Sequence, residues 1–207
     1  MELSGFYFIT DDNLTKKGAL ADAKAAVAGG ARVVQYREKK KNAIEFLTEA
    51  CAIRDVCKSH NTLFLVNDEV WAAVLTGADG VHLGQDDMPA GTARRILGKG
   101  SIIGVTVHNV EEAVKAVKDG ADYVGVSPIY QTATKKDAGK PAGLDVIGKV
   151  KSSVNVPVVA IGGINEENAG KVIAAGADAL AAISATVTQD DVEAKVALFS
   201  HKFKRRI

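Results

Sequence analysis

The stretch Gly77-Ala78-Asp79-Gly80-Val81-His82-Leu83-Gly84-Gln85-Asp86-Asp87 reads as one junction of a repeating plan. Gly-Ala ends a helix, because glycine reaches the left-handed conformation that a helix C-terminus uses. Residues 80–83 are then a short run suited to a buried strand. An amide and two carboxylates follow the run at once. Gly30-Ala31, Gly120-Ala121 and Gly176-Ala177 repeat the junction, and Asp122 and Asp178 follow the last two as Asp79 follows Gly77-Ala78. The four junctions lie roughly 45–55 residues apart and precede every second strand, a two-unit period.

Working outward, short apolar runs fall at 6–10, 33–37, 63–67, 80–83, 102–106, 123–126, 157–161 and 179–183. Helical patterns alternate with them at 16–28, 42–60, 70–75, 89–97, 109–118, 144–151, 166–175 and 190–203. Asn42 and Asn109 are placed as N-caps, and Pro89 suits a first helical turn. The runs are continuous rather than alternating, as in parallel strands covered on both faces. Strand–helix alternation leaves a doubly wound sheet or a barrel. Eight units and the fourfold echo favour an α/β, single-domain TIM (β/α)8 barrel spanning 1–207, at the compact end of that fold. No linker or second domain is visible.

Lys plus Arg number 26 and Asp plus Glu 25, a net charge of +1. That balance indicates no nucleic-acid partner. The basic end 201–206 reads as a solvated helix terminus. Cys51 and Cys57 stand six apart, with neither zinc nor disulfide-framework spacing, and fit a reduced compartment. No leader pattern or membrane-length apolar run is present, so the expectation is a cytoplasmic protein without a membrane partner. Oligomeric state is left open; outer helix faces are where a homodimer would form.

Barrel active sites lie at the C-terminal strand ends. On the second strand Gln35, Arg37 and Lys39 project to one side, and Tyr36 and Glu38 to the other. An amide, a bidentate donor and an ammonium leaving together suit a diphosphate. The third strand ends in Asn67 and Asp68, the fourth in Gln85, Asp86 and Asp87. Asp68 and Asp87 make an oxygen-rich pair for Mg²⁺ shared with substrate phosphates. The plainer alternatives are that Asp68 caps the next helix and that Asp86-Asp87 is a solvated turn. The fifth strand supplies Thr106 and His108. The sixth feeds the long loop 127–142 with Ser127, Thr132, Thr134 and Lys135; loops of this length are commonly functional. Gly162-Gly163 is expected to open the helix after the seventh strand and let backbone N–H groups approach a phosphate, with Ser184 next door. His82, inside a strand, reads as a hydrogen-bonded core residue. No nucleotide-binding glycine fingerprint or strand lysine suited to a Schiff base occurs.

Taken jointly and in order, Gln35-Tyr36-Arg37-Glu38-Lys39, Val66-Asn67-Asp68, the stretch 77–88, the stretch 125–135 and Ala160-Ile161-Gly162-Gly163-Ile164 resemble the thiamine-phosphate synthases. The resemblance covers nearly the whole chain. It implies a (β/α)8 barrel that joins 4-amino-2-methyl-5-hydroxymethylpyrimidine diphosphate to 4-methyl-5-(2-phosphoethyl)thiazole, giving thiamine phosphate and diphosphate. By motif it assigns Gln35, Tyr36, Arg37, Glu38, Lys39, Asn67, Thr106 and Lys135 to the pyrimidine diphosphate. It assigns Thr132, Ala133, Thr134, Gly163, Ile183 and Ser184 to the thiazole phosphate, and Asp68 and Asp87 to Mg²⁺. Arg37, Lys39 and Lys135 would stabilise the leaving diphosphate. Thr106 stands where the family commonly has Ser, Gln131 where it has Pro and Ala133 where it has Glu. Two other readings remain: a thiazole tautomerase-like barrel, and a non-catalytic barrel that binds a phosphate ligand.

Overall fold

The structure is a computed structural model and describes residues 3–134 and 139–204. Its strands are β1 (Gly5–Ile9), β2 (Val33–Tyr36), β3 (Leu63–Asn67), β4 (Gly80–Leu83), β5 (Ile102–Val107), β6 (Tyr123–Val126), β7 (Val158–Ile161) and β8 (Ala179–Ala181). Its helices are α1 (Ala19–Ala28), α2 (Ala43–Ser59), α3 (Val70–Thr76), α4 (Ala90–Leu97), α5 (Val110–Lys118), α6 (Leu144–Ser153), α7 (Ala169–Ala174), α8 (Ile183–Val187) and α9 (Val192–Lys204). The strands pair in parallel and in sequence order, and β8 returns to β1, closing the barrel.

Alternation along the strands separates two apolar layers. Phe6, Phe8, Val34, Phe64, Val81, Ile103 and Leu180 face outward and pack under the helices. Tyr7, Ile9, Val33, Leu65, Tyr123, Val159 and Ala181 fill the interior. The outer layer is the larger, which explains why the strands read as continuous apolar runs.

The recurrent Gly-Ala-Asp junction has a physical basis at the N-terminal end of the barrel. Gly30, Gly77, Gly120 and Gly176 all take positive φ, as a left-handed helix stop requires. The carboxylates that follow three of them then satisfy neighbouring strands. Asp79 accepts from the Phe64 N–H at 2.7 Å, Asp122 from Ile103 at 2.7 Å and Asp178 from Val158 at 2.8 Å. Each Asp backbone N–H in turn donates to the carbonyl of the same residue. The first copy has Arg32 instead, which keeps only the backbone half, donating to Phe6.

Three expected elements differ. Residues 16–18 are not helical, because the Thr15 hydroxyl accepts from the Lys17 and Gly18 N–H groups and holds a turn. α7 begins at Ala169 rather than near 166; Asn165 Oδ1 accepts from the Glu167 and Asn168 N–H groups and keeps that segment a turn. β8 ends at Ala181 rather than at 183, and residues 183–187 form the short helix α8 in place of the expected strand end and loop. Among the described residues no helix is long and apolar enough to cross a membrane.

Candidate active site

A cavity of about 340 Å³ opens at the C-terminal ends of the strands. Gln35, Arg37 and Lys39 line it from the β2 end, Asn67 and Asp68 from β3, Asp87 from the β4 loop and Thr106 from β5. Thr132, Thr134, Gly163, Ile183 and Ser184 line the opposite side. The structure thus brings twelve of the expected residues to one cavity.

Three others stand away from it. Tyr36 alternates outward, where its hydroxyl donates to Glu49 Oε2 at 2.7 Å and its ring packs edge-on against Phe46. Burial first, and then Glu49, raise its phenol well above the ordinary range. Glu38 turns back on its own chain and accepts from the N–H groups of Lys40 and Lys41. Ala133 is not among the cavity residues. Period-two alternation already separated Tyr36 and Glu38 from Arg37, so their place in the site came only from belonging to a contiguous motif. Lys135 lies outside the described residues.

The basic side of the mouth is held by acids. Arg37 Nη1 donates to Asp11 Oδ2 at 2.9 Å, and Asp11 is buried. Asp11 Oδ1 meanwhile accepts from the Asn13 and Leu14 N–H groups, so the turn after β1 fixes the carboxylate that aims the guanidinium. Thr10 completes the frame: its hydroxyl accepts from the Arg37 N–H at 2.8 Å.

Asp68 does not cap α3. The N-cap position belongs to Glu69 and carries no side-chain cap. Asp68 has φ 61, a left-handed conformation that is costly for a residue with a side chain. Its Oδ2 accepts from Lys39 Nζ at 2.5 Å and from Asn67 Nδ2 at 2.6 Å. Asp87 Oδ2 accepts from the Gly84 N–H at 2.7 Å. Burial, followed by the adjoining Asp68, holds the Asp87 carboxyl above the usual carboxylate range. Two carboxylates so placed form an oxygen donor pair, whereas no group of three or more metal-ligating side chains exists among the described residues.

The glycine pair after β7 lines the cavity and also has a packing role. A Cβ on Gly162 would lie 2.6 Å from Pro128 Cβ, and one on Gly163 2.5 Å from the Gln131 carbonyl oxygen. The Ile129 and Tyr130 N–H groups donate to the Ile161 and Gly162 carbonyls. The glycines therefore seat the loop after β6 against β7, and with positive φ at both they cannot be replaced without strain. They do not open a helix: Ile164–Asn168 intervenes before α7. Ile183 and Ser184 instead begin α8, a short extra helix of the kind found beside barrel phosphate sites.

His82 is the core residue that its place inside a strand predicts. It is 5 % exposed yet reaches the cavity floor. Its Nε2 is 2.8 Å from the Thr106 hydroxyl and its Nδ1 2.8 Å from the Tyr123 hydroxyl. An inward-pointing polar residue one position from a strand's C-terminal end was the available signal.

Closed parallel barrel, polar C-terminal mouth, aimed cations and paired carboxylates together give a (β/α)8 barrel with a candidate active site at the C-terminal strand ends. A family model described as thiamine monophosphate synthase matches residues 6–186, and the chain belongs to that family. Thiamine-phosphate synthase of Methanosarcina mazei is 54% identical over 188 residues, 91% of this chain and 78% of that protein. The thiamine-phosphate synthase of Chloroflexus aurantiacus is 48% identical over 91% of this chain and 87% of its own length. A solved thiamine phosphate pyrophosphorylase from Pyrococcus furiosus superposes with a TM-score of 0.90 at 36% identity, covering 97% of this chain and 96% of that one. The chain is accordingly an enzyme, a transferase of thiamine biosynthesis.

Proposed function

We propose that the chain, acting as one barrel domain in the cytoplasm, condenses 4-amino-2-methyl-5-hydroxymethylpyrimidine diphosphate with 4-methyl-5-(2-phosphoethyl)thiazole. The products are thiamine phosphate and diphosphate. The observation that carries this reading is the division of one cavity into a charged side at β2–β4 and a hydroxyl-and-glycine side at β6–β8. Gln35, on β2, and Thr106, on β5, both line the cavity and would hold the pyrimidine. Arg37 and Lys39 would hold its diphosphate, with Asn67 beside them and Lys135 completing the set. Thr132, Thr134, Gly163, Ile183 and Ser184 would receive the thiazole phosphate.

Asp68 and Asp87 fit a divalent cation by their donor chemistry. Both are oxygen donors, they adjoin one another, and a bound positive charge would offset the burial and the neighbouring Asp68 that raise Asp87. With only two protein carboxylates, the remaining positions suit water and substrate phosphate oxygens, which is the habit of Mg²⁺. Mg²⁺ held by Asp68 and Asp87 would supply charge neutralisation for the diphosphate. Arg37 and Lys39 share that task through donors aimed before substrate arrives. The carbon–oxygen bond to diphosphate breaks, and the thiazole nitrogen supplies the electron pair to the exposed pyrimidine-methyl carbon. No base is required, consistent with a floor histidine whose two ring nitrogens are both hydrogen-bonded.

The test is diphosphate release by the purified protein with both substrates and Mg²⁺, each omitted in turn. Release that requires Mg²⁺ and accompanies thiamine phosphate is expected. Thiazole phosphate binding without release would favour a tautomerase-like or regulatory barrel instead.

A further inference from the structure

Beneath the cavity, five side chains from five strands form one buried hydrogen-bonded chain. Gln35 Nε2 donates to Tyr7 Oη at 2.8 Å. Tyr7 Oη lies 2.7 Å from Tyr123 Oη, Tyr123 Oη 2.8 Å from His82 Nδ1, and His82 Nε2 2.8 Å from Thr106 Oγ1. Both ends, Gln35 and Thr106, line the cavity. The middle is sealed: Tyr7 and Tyr123 are at most 1 % exposed.

The barrel is shaped around this chain. His82, Gly104 and Tyr123 share one row across β4, β5 and β6. A Cβ on Gly104 would lie 2.0 Å from Tyr123 Cζ, so only glycine lets the phenol ring cross β5 to stack on His82. Gly125 clears the other side, where a Cβ would lie 3.1 Å from His82 Cε1.

Proton counting gives the chain a direction. Burial raises both phenols far above the ordinary range, so each keeps one O–H to donate. Tyr7 already accepts from the Gln35 amide, so its own O–H goes to Tyr123. Tyr123 then donates to His82 Nδ1, which leaves the imidazole neutral with its proton on Nε2. That proton goes to Thr106 Oγ1, and the Thr106 O–H is left to point at the cavity. With the Gln35 amide set Nε2 toward Tyr7, running the chain the other way would leave the Tyr7 O–H facing an N–H donor; the reverse direction requires that amide to be turned over.

We infer that Tyr7, Tyr123 and His82 are positioning residues, a one-way relay that makes Thr106 a hydrogen-bond donor and Gln35, through its carbonyl oxygen, an acceptor toward the bound ligand. The relay fits a ligand edge that offers a donor such as an exocyclic amine at Gln35 and an acceptor at Thr106. Assigning that edge to the pyrimidine diphosphate rests on the proposed function; the direction of the relay does not.

Two measurements test it. Nitrogen-15 NMR of the histidine rings in the unliganded full chain at neutral pH is expected to show His82 as the neutral Nε2–H tautomer. The Nδ1–H tautomer, or an imidazolium, would overturn the relay whether or not the protein is a synthase. In steady-state kinetics, Tyr7→Phe and Tyr123→Phe are each expected to lower kcat/KM for the pyrimidine diphosphate about tenfold, one hydrogen bond's worth. KM for the thiazole phosphate should stay unchanged. Tyr123→Phe placed on Thr106→Ala should cost little more than Thr106→Ala alone. Multiplicative losses, or equal losses for both substrates, would reduce the phenols to packing and overturn the positioning role. Absence of synthase turnover in the parent protein would defeat the proposed function alone, and the tautomer would still decide the relay.

Discussion

Lys39 and Asp68 meet across the barrel rim, ammonium nitrogen to carboxylate oxygen at 2.5 Å, although 29 positions separate them in the chain. Neighbouring parallel strands bring them together, and the left-handed backbone at Asp68 turns its carboxylate toward β2 instead of onto α3. Such strain, held in place by two donors, is of the kind that clusters at functional sites. Asp68→Asn is therefore expected to lower Mg²⁺-dependent synthesis about 10²–10³-fold, on the scale of a lost electrostatic stabiliser, with thermal stability little changed. Turnover within a few fold of the parent would contradict the assignment of Asp68 to the metal. Lys39→Ala should lose a similar factor, and its loss should appear in kcat as the leaving group loses a charge partner.

Arg37 depends on Asp11 for its direction. The guanidinium is planar, so one Nη engaged by a buried carboxylate fixes where the rest of the fork points. Asp11→Asn retains the turn through its amide oxygen but sets an NH₂ donor against the Arg37 Nη1–H, so the charge-assisted bond is lost. A loss of about 10–100-fold in kcat/KM is expected, as for one hydrogen bond to a charged group. Arg37→Lys should not recover activity, since an ammonium cannot reach Asp11 and a diphosphate in one plane. Full activity in Arg37→Lys would show that charge alone suffices there.

The opposite end of the barrel should behave differently. Asp122 and Asp178 each accept from a strand N–H that would otherwise be unpaired, and each also meets a cation: Arg94 lies on Asp122, and Lys151 on Asp178 at 2.5 Å. Asp122→Ala strands the Ile103 donor and is expected to cost about 1–3 kcal/mol. For a chain of this size that lowers Tm by roughly 2–4 °C per kcal/mol. Activity per folded molecule should be unchanged, because the cavity lies at the other strand ends. A catalytic loss without a stability loss would overturn this division of labour.

These examples also show what the chain's letters disclosed. The Gly-Ala-Asp junctions were legible as punctuation because a helix stop and a strand start are local events. Their reciprocal bonds to Phe64, Ile103 and Val158 were not, since those need the register of the neighbouring strand. Asn42 and Asn109 stood out as caps, and both accept from their own first turns. The break between 162 and α7 stayed hidden because Asn165 competes with helix through side-chain bonds that propensity does not reveal. Twelve of the expected site residues converge because strand ends in a closed barrel must converge. The close packing of Gly162 and Gly163 stayed hidden for the same reason in reverse: their neighbours Pro128 and Gln131 come from another loop. The Tyr7–Tyr123–His82 chain escaped because aromatic residues in apolar strands look like ordinary core.

The thiols offer a check on the outer layer, away from the cavity. Cys57, on the inner face of α2, is wholly buried, and burial, with a smaller effect of Asp79, pushes its thiol up to about 12. The native state therefore holds its proton more tightly than the unfolded chain, whose thiols titrate near 8.5. The sign follows from linkage: above about 8.5 the unfolded chain releases a proton that the native state keeps, so stability falls as pH rises toward 12. The contribution is fully present below pH 8.5 and is lost at up to about 1.4 kcal/mol per pH unit above it. Cys57→Ala removes this term, so the gap in unfolding free energy between parent and variant should narrow between pH 8.5 and 10.5. Alkylation gives the kinetic counterpart: Cys51, partly exposed, should react in the native protein at pH 8 while Cys57 stays protected until unfolding. Equal reaction of the two thiols, or a gap independent of pH, would mean that α2 does not pack on the barrel as described.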